Sequence, residues 1–377
     1  MVIGVPTETH SDEHRVGLNP FAVGRLAHHG HTVVVEKSAG LAAHFEDRAF
    51  EEAGARIVYG AEEVYRRSDL VCQVGQLTAR ELGLLRPGAI VASFHHLAVL
   101  RREMVEGLMA LETTLIGYEV IRDRGGDLPV LYPLSEMAGQ MAVHLAANYL
   151  QKEAGGRGVL LGTVPGIAPP TVVILGAGTA GRSAARQALA SGAHVIVLDA
   201  DMHKLQVVHR EFVGRAVTAV PSRRRLEQYT RIADVLVGAV LIPGARAPFV
   251  ITEAMVVAMK PGSVILDLSI DQGGCVETSR PTTLRDPVFV AHGVLHYCVP
   301  NMTANIPRTA SRALANTALP YLVELAGEGL DATLRNDPGL AAGVYLYRGK
   351  MVNASVGEAL GLPVIPLVDL LQEGERR

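Results

Sequence analysis

The chain has 377 residues, a formal net charge of −3 and 49% hydrophobic residues, enough for two domains rather than one ordinary core. The charge is balanced and no basic patch dominates, which argues against nucleic acid as a partner, and no apolar run is long enough to cross a bilayer. The three cysteines, Cys72, Cys275 and Cys298, show no CxxC spacing, and the N-terminus reads straight into a strand. This argues against a disulfide framework and a zinc site, and leads us to expect a cytoplasmic protein that binds no metal.

Along the chain, short apolar runs alternate with helical patterns. Val2–Val5 predicts a strand, followed by a polar loop over residues 7–15. A helix is predicted over Pro20–His29 and a strand over His31–Glu36. Then come a helix at Ala61–Ser68 and strands at Leu70–Val74, Ala89–Phe94 and Thr114–Tyr118. Alternation of this kind predicts parallel βαβ units. Pro133–Gln151 predicts a long helix with Ser135 as its N-cap, Glu136 in the first turn, and a face of small residues, Ala138, Gly139, Ala142 and Ala146. Residues 155–170, rich in Gly and Pro, read as an exposed hairpin or linker. A second βαβ set follows, with strands at Val172–Leu175, His194–Leu198, Val235–Gly238, Val264–Asp267 and Val288–Ala291, and a helix at Gly178–Ser191. A long helix at Ser311–Gly327 is expected to lead back to the first domain, and Ala341–Ala354 to close it.

The strongest local motif is Val172-Val173-Ile174-Leu175-Gly176-Ala177-Gly178-Thr179-Ala180-Gly181, a full GxGxxG between a strand and a helix. Gly176 permits the tight turn, Gly178 lets backbone approach a pyrophosphate, and Gly181 lets helix pack on strand. Thr179 and Ala180 then open the helix whose free N–H groups would hold the phosphates. The next strand ends in Asp199, at about the expected ~20-residue spacing for a ribose-binding carboxylate. Such a carboxylate repels a 2′-phosphate, which favours NAD over NADP, although Lys204 lies nearby. The fold class expected is α/β, with two doubly wound Rossmann-like domains. The NAD domain, 131–304, is inserted in a split outer domain, 1–130 plus 305–377.

Further segments carry a resemblance. They are Gly4-Val5-Pro6-Thr7-Glu8 with Glu13-His14-Arg15-Val16, Ser135-Glu136-Met137-Ala138-Gly139, and Gly158-Val159-Leu160-Leu161-Gly162 with Val164-Pro165-Gly166. The longest runs from Ile270-Asp271-Gln272-Gly273-Gly274-Cys275 through Glu277-Thr278-Ser279-Arg280-Pro281-Thr282-Thr283, and His296-Tyr297-Cys298-Val299 with Asn301-Met302 adds to it. Taken together, the chain resembles the alanine dehydrogenase family over almost its whole length. The resemblance implies reversible oxidative deamination of an L-amino acid, with NAD as hydride acceptor, in a homo-oligomer, usually a hexamer. It implies Arg15 as the substrate-carboxylate arginine, His96 as the acid/base histidine and Asp271 as the catalytic aspartate. It also implies Ser135 near the phosphates, Val240, Leu241 and Met302 along the cofactor, and Ile270 and Asn301 near the nicotinamide, Asn301 touching substrate as well. The chemistry of each fits. A guanidinium binds a carboxylate through two parallel N–H bonds, a histidine exchanges protons near neutrality, and a carboxylate can orient water or ammonia. His95 is the better candidate for a packed histidine, because side chains alternate along a strand.

One stretch departs from the pattern. The resemblance implies a lysine, which helps to hold and polarise the substrate, at the position of Gly75 in Gln73-Val74-Gly75-Gln76-Leu77. Phe94 also stands where a tyrosine is common. Three readings stay open: a dehydrogenase or imine reductase with another substrate, an alanine dehydrogenase with a different cation, or a silent NAD(H)-binding homologue. A transhydrogenase subunit shares the fold, but the Asp-Gln-Gly-Gly segment resembles the dehydrogenase branch.

Overall fold

A computed structural model of the chain describes residues 1–242 and 244–375. Two compact units emerge. One gathers Met1–Leu134 with the chain from Ala304 onward and a short stretch at 244–245; the other gathers Ser135–Ile242 and Arg246–Thr303. Along the chain the first strands are β1 (Val2–Val5), β2 (Thr32–Glu36), β3 (Arg56–Val58), β4 (Leu70–Cys72), β5 (Ile90–Ser93) and β6 (Thr114–Gly117). Then follow β7 (Thr171–Leu175), β8 (His194–Leu198), β9 (Val217–Ala219), β10 (Val235–Gly238), β11 (Val264–Asp267), β12 (Val288–Ala291) and β13 (Val294–Tyr297). The last are β14 (Val344–Tyr347) and β15 (Lys350–Met351).

The first unit holds a sheet of order β15-β14-β6-β5-β4-β1-β2-β3, parallel from β3 through β6 and closed by an antiparallel hairpin. The second holds β12-β13-β11-β10-β7-β8-β9, parallel except at β12. In each, the chain starts mid-sheet, winds outward one way, then returns to wind the other. The strand order reverses between β1 and β4 in one sheet and between β7 and β10 in the other. Ligands of such sheets bind at the carboxyl ends of the strands flanking that reversal.

The reason these strands read as continuous apolar runs is visible in β7. Val172 and Ile174 enter a buried cluster with Val195, Val197, Val235 and Leu266 on one face. Val173 and Leu175 enter a cluster with Ile196, Leu198 and Leu236 on the other. Successive side chains point to opposite faces, so a sheet covered on both sides needs apolar residues at every position. Each buried side chain of this kind contributes roughly 1.5–3 kcal/mol.

Two expectations need correction. The bridging helix spans Tyr132–Tyr149, and the Tyr132 N–H already donates to the Leu128 carbonyl at 2.8 Å. Ser135 therefore lies inside the first turn rather than capping it, because Pro133, with no N–H to lose, lets the helix begin earlier. The strands β3, β9, β13, β14 and β15 were not predicted as strands. The first two are three-residue edge pieces of mixed polarity, and β13 carries a polar His296 that interrupts the apolar pattern.

Candidate functional site

At the carboxyl end of β7 the chain turns through Gly176 (φ 99°) into the helix Thr179–Ala190. A Cβ on Gly176 would lie 2.3 Å from the Ala239 carbonyl oxygen, and one on Gly181 would lie 1.8 Å from the Gly176 carbonyl oxygen. Both positions thus require glycine for contact between β7, β10 and the helix. Gly178 differs: nothing lies within 4 Å of its Cβ direction, and no side chain caps the helix that starts there. This leaves open space at Gly178 before the first-turn N–H groups of Thr179, Ala180 and Gly181, which have no partner within the helix, a cradle suited to a pyrophosphate. The helix Tyr132–Tyr149 backs this cradle. A Cβ on Gly139 would lie 2.2 Å from the Ala180 carbonyl oxygen, and Ser183 Oγ donates to the Glu136 carbonyl at 2.7 Å.

Asp199 follows β8 beside the cradle. Its carboxylate accepts the Ala177 N–H at 2.7 Å and the Asp201 N–H at 2.8 Å, which locks it against the glycine loop. Each oxygen keeps a lone pair for a ribose hydroxyl. Lys204 is exposed on the helix Met202–Glu211. Beyond β10, the Val240 N–H donates to Ser269 Oγ at 3.0 Å, while Leu241 is exposed.

Ile270 and Asp271 stand on a short 3-10 turn after β11. That loop is tied down by Asp267, whose buried carboxylate accepts N–H groups of Ser269, Cys275 and Val276 at 3.1, 3.0 and 3.3 Å. Burial pushes the Asp267 carboxyl above its ordinary value. Asp271 in turn accepts the Asn301 N–H at 2.8 Å, with Asn301 in the left-handed region (φ 51°) that asparagine tolerates. Met302 is buried just after it. Residues 240, 269–271 and 301–302 thus form one connected loop cluster within the second unit, whereas Leu241 projects to solvent.

In the first unit, the strand reversal between β1 and β4 is spanned by Glu8. Its carboxylate accepts the Val74 N–H at 2.6 Å and the Gly75 N–H at 3.0 Å. Burial, then the neighbouring Glu13, pushes the Glu8 carboxyl up to about 8. Arg15 is 2% exposed and is gripped by Glu13, whose carboxylate takes the Arg15 backbone N–H at 3.0 Å, Nε at 2.7 Å and Nη2 at 2.5 Å. A Cβ on Gly75 would stand 3.0 Å from Glu8 Oε2 and 4.0 Å from Glu13 Cγ, so Glu8, Gly75, Glu13 and Arg15 adjoin.

The Phe94 N–H donates to the Val74 carbonyl at 3.0 Å, and its ring stacks on His96 at 6.2 Å. His96 adopts the left-handed region (φ 45°, ψ 45°), a strained conformation for a non-glycine residue. It is held there by Glu119, 2% exposed, whose Oε1 accepts the His96 N–H at 2.6 Å and the Tyr345 hydroxyl at 2.9 Å. His96 Nδ1 lies 4.0 Å from the same oxygen. His95, by contrast, is buried, bonded to Ser93 Oγ at 3.1 Å and to the Val91 carbonyl at 3.1 Å, and burial lowers its pKa. Sequence reasoning missed Glu8, Glu13 and Glu119 as site residues. The one available signal was that Glu8 and Glu13 lie in the same segment as Arg15.

A phosphate cradle on one doubly wound unit, and a buried guanidinium and a strained histidine on the other, fit an NAD-dependent oxidoreductase. Residues 4–138 match the family model for the alanine dehydrogenase/PNT N-terminal domain, and residues 142–354 match that for its C-terminal domain. The chain is 44% identical to alanine dehydrogenase of Mycobacterium tuberculosis over 363 residues, covering 96% of this chain and 98% of that one. It is 42% identical to alanine dehydrogenase of Halomonas elongata over 371 residues, covering 98% and 100%. A solved L-alanine dehydrogenase superposes with a TM-score of 0.88 at 40% identity, covering 96% of this chain and 99% of that one. A transhydrogenase from Sinorhizobium meliloti shares the fold, with a TM-score of 0.77 at 24% identity and coverage of 94% and 100%. The chain belongs to the alanine dehydrogenase/PNT family. Among the described residues, no helix is long and apolar enough to cross a membrane.

Proposed function

We propose that the chain is an amino-acid dehydrogenase of the alanine dehydrogenase type. It interconverts an L-amino acid and water with a 2-oxo acid and ammonia, while NAD bound at the Gly176–Gly181 cradle takes up or returns the hydride. The observation that carries this reading is the setting of Arg15 and His96. Arg15 lies in the loop after β1 and adjoins Glu8 and Gly75 through Glu13, and His96 stands just past the carboxyl end of β5, the strand beside β4. Arg15, pre-oriented by Glu13, binds the substrate carboxylate and fixes the α-carbon for transfer. His96 gives and takes the proton at the substrate nitrogen or oxygen. Asp271, held by the Asn301 N–H, orients the attacking water or departing ammonia, and Asn301 adds a polar contact to substrate and nicotinamide. Ser135, Val240, Leu241, Ile270 and Met302 line the cofactor, and Asp199 holds its ribose, with Lys204 beside it.

On this reading the first unit is the substrate domain and the second the nucleotide domain, and the working enzyme is a cytoplasmic homo-oligomer. The test is NADH oxidation with ammonia and a panel of 2-oxo acids that includes pyruvate, beside a direct titration of NADH. Turnover of any member supports the proposal. Tight NADH binding with no turnover of any acid would instead mark a silent homologue.

A further inference from the structure

The proposed site has an unusual charge balance around Gly75. Glu8 and Glu13 both face the Cβ direction of that residue, Glu8 Oε2 at 3.0 Å and Glu13 Cγ at 4.0 Å. Arg15 is held by Glu13 through its backbone N–H, Nε and Nη2. Two charged groups that act strongly on Glu8 are Glu13 and Glu81, both of its own sign. Apart from Glu8 and Glu13, nothing lies within 4 Å of the Cβ direction at Gly75, and that glycine is half-buried, so the gap is open.

Tyr118 is 1% exposed, yet its hydroxyl has no oxygen or nitrogen partner. Its hydroxyl pairs with the Cys72 thiol, a weak partner, and it feels the charge of Glu8. Its ring packs edge-on against Phe94 at 5.5 Å, the residue that stacks on His96. A buried hydroxyl with only a thiol for a partner is weakly satisfied, so this part of the unit accommodates a further polar group.

We propose that Gly75 and Glu8 make this site selective for an amino acid with a second, positively charged amino group on a short side chain, that is, a small 2,ω-diamino acid. The inference rests on the dehydrogenase reading for where the substrate binds. The α-carboxylate pairs with Arg15, and the distal ammonium enters the gap at Gly75 and pairs with Glu8. Glu13 touches both regions, so the two contacts lie within one side chain's reach. Without a cation, Glu8 holds its proton near neutral pH. An ammonium placed against it draws the carboxyl back toward its ordinary range, so binding of the diamino acid releases a proton.

The test uses the full enzyme saturated with NADH and titrates L-2,4-diaminobutyrate against L-2-aminobutyrate, which lacks the distal amine, by calorimetry in two buffers of different ionisation enthalpy. The expected result is at least tenfold tighter binding of the diamino acid, with net proton release near pH 7. Glu8→Gln is expected to bring the two affinities within about threefold and to abolish the proton release. Gly75→Lys, which puts a cation on the protein side of the gap, is expected to reverse the preference, and serves if Glu8→Gln fails to fold. Equal affinities in the native enzyme, or a preference that neither variant changes, would overturn the proposal. Hydride transfer is read separately with NAD. Selective binding without NAD reduction, and with no turnover of any 2-oxo acid in the panel, would sink the dehydrogenase reading and leave the charge selectivity standing.

Discussion

Glu119 holds His96 by its backbone, taking the His96 N–H at 2.6 Å while Tyr345 fixes the same carboxylate oxygen at 2.9 Å. The imidazole therefore owes its position to a buried carboxylate 23 residues further along the chain. The left-handed backbone at His96 costs on the order of 1–3 kcal/mol and persists only where surrounding contacts over-determine it. This geometry makes Glu119 a positioning residue.

Glu119→Gln keeps an acceptor oxygen but loses the charge facing the His96 ring. It is expected to lower kcat about tenfold, with KM within about threefold, because Arg15, the proposed carboxylate anchor, is untouched. Steady-state kinetics with the best 2-oxo acid checks this. A rise in KM with kcat preserved would show that Glu119 serves binding rather than the histidine.

His96→Asn separates strain from chemistry. Asparagine adopts the left-handed region more readily than histidine and retains the N–H that Glu119 accepts. The variant is expected to fold with a melting temperature at or slightly above that of the native protein, while kcat falls about 10²–10⁴-fold for want of a proton carrier. Thermal melts beside turnover assays check both halves. A variant that keeps more than a tenth of native kcat would remove His96 from the proton path.

How far these features were legible in the sequence depends on the range of the interaction. The strands of the second unit read clearly because Val172 through Leu175 and Val195 through Leu198 are buried on both faces, which forces continuous apolar runs. β13 was hidden because His296 occupies an interior position, satisfied by Thr278 Oγ1 at 2.8 Å and the Val294 carbonyl at 3.0 Å. The glycine cradle and Asp199 were legible because their spacing is local. Glu8 and Glu119 were not, since each acts through a partner brought close only by strand order. Glu8 meets Val74 across 66 residues, and nothing near position 8 signals that pairing.

Asp199→Ala tests the nucleotide end. The side chain accepts the Ala177 N–H at 2.7 Å, and on the proposed reading it also offers lone pairs to the ribose hydroxyls. Removing it loosens the glycine loop and deletes the ribose contact together, so NADH affinity is expected to fall about tenfold or more. Fluorescence titration measures it. Asp199→Asn, which keeps an acceptor for Ala177, is expected to fall between the two, and unchanged affinity in both variants would sink the ribose assignment.

The raised Glu8 carboxyl predicts how stability depends on pH. Its ordinary value is 4.5 and its folded value about 8, with Glu13 and Glu81 facing it and Val74 and Gly75 donating to it. Between those values the folded protein holds a proton that the unfolded chain has lost. The folded state thus binds more protons, and stability from this group is fullest below about pH 4.5 and is lost as pH rises toward about 8. This is the reverse of a salt-bridged carboxylate. Between pH 6 and pH 8.5 the native protein is expected to lose about 3–6 °C more in melting temperature than Glu8→Gln, which cannot ionise. Parallel melts of the two proteins across that range check it. Gly75→Lys is expected to flatten the same slope, because a cation facing Glu8 favours the ionised form at neutral pH. Parallel curves for all three proteins would mean that Glu8 is already ionised in the folded state, and that the charge at this reversal is balanced by a group other than the residue at position 75.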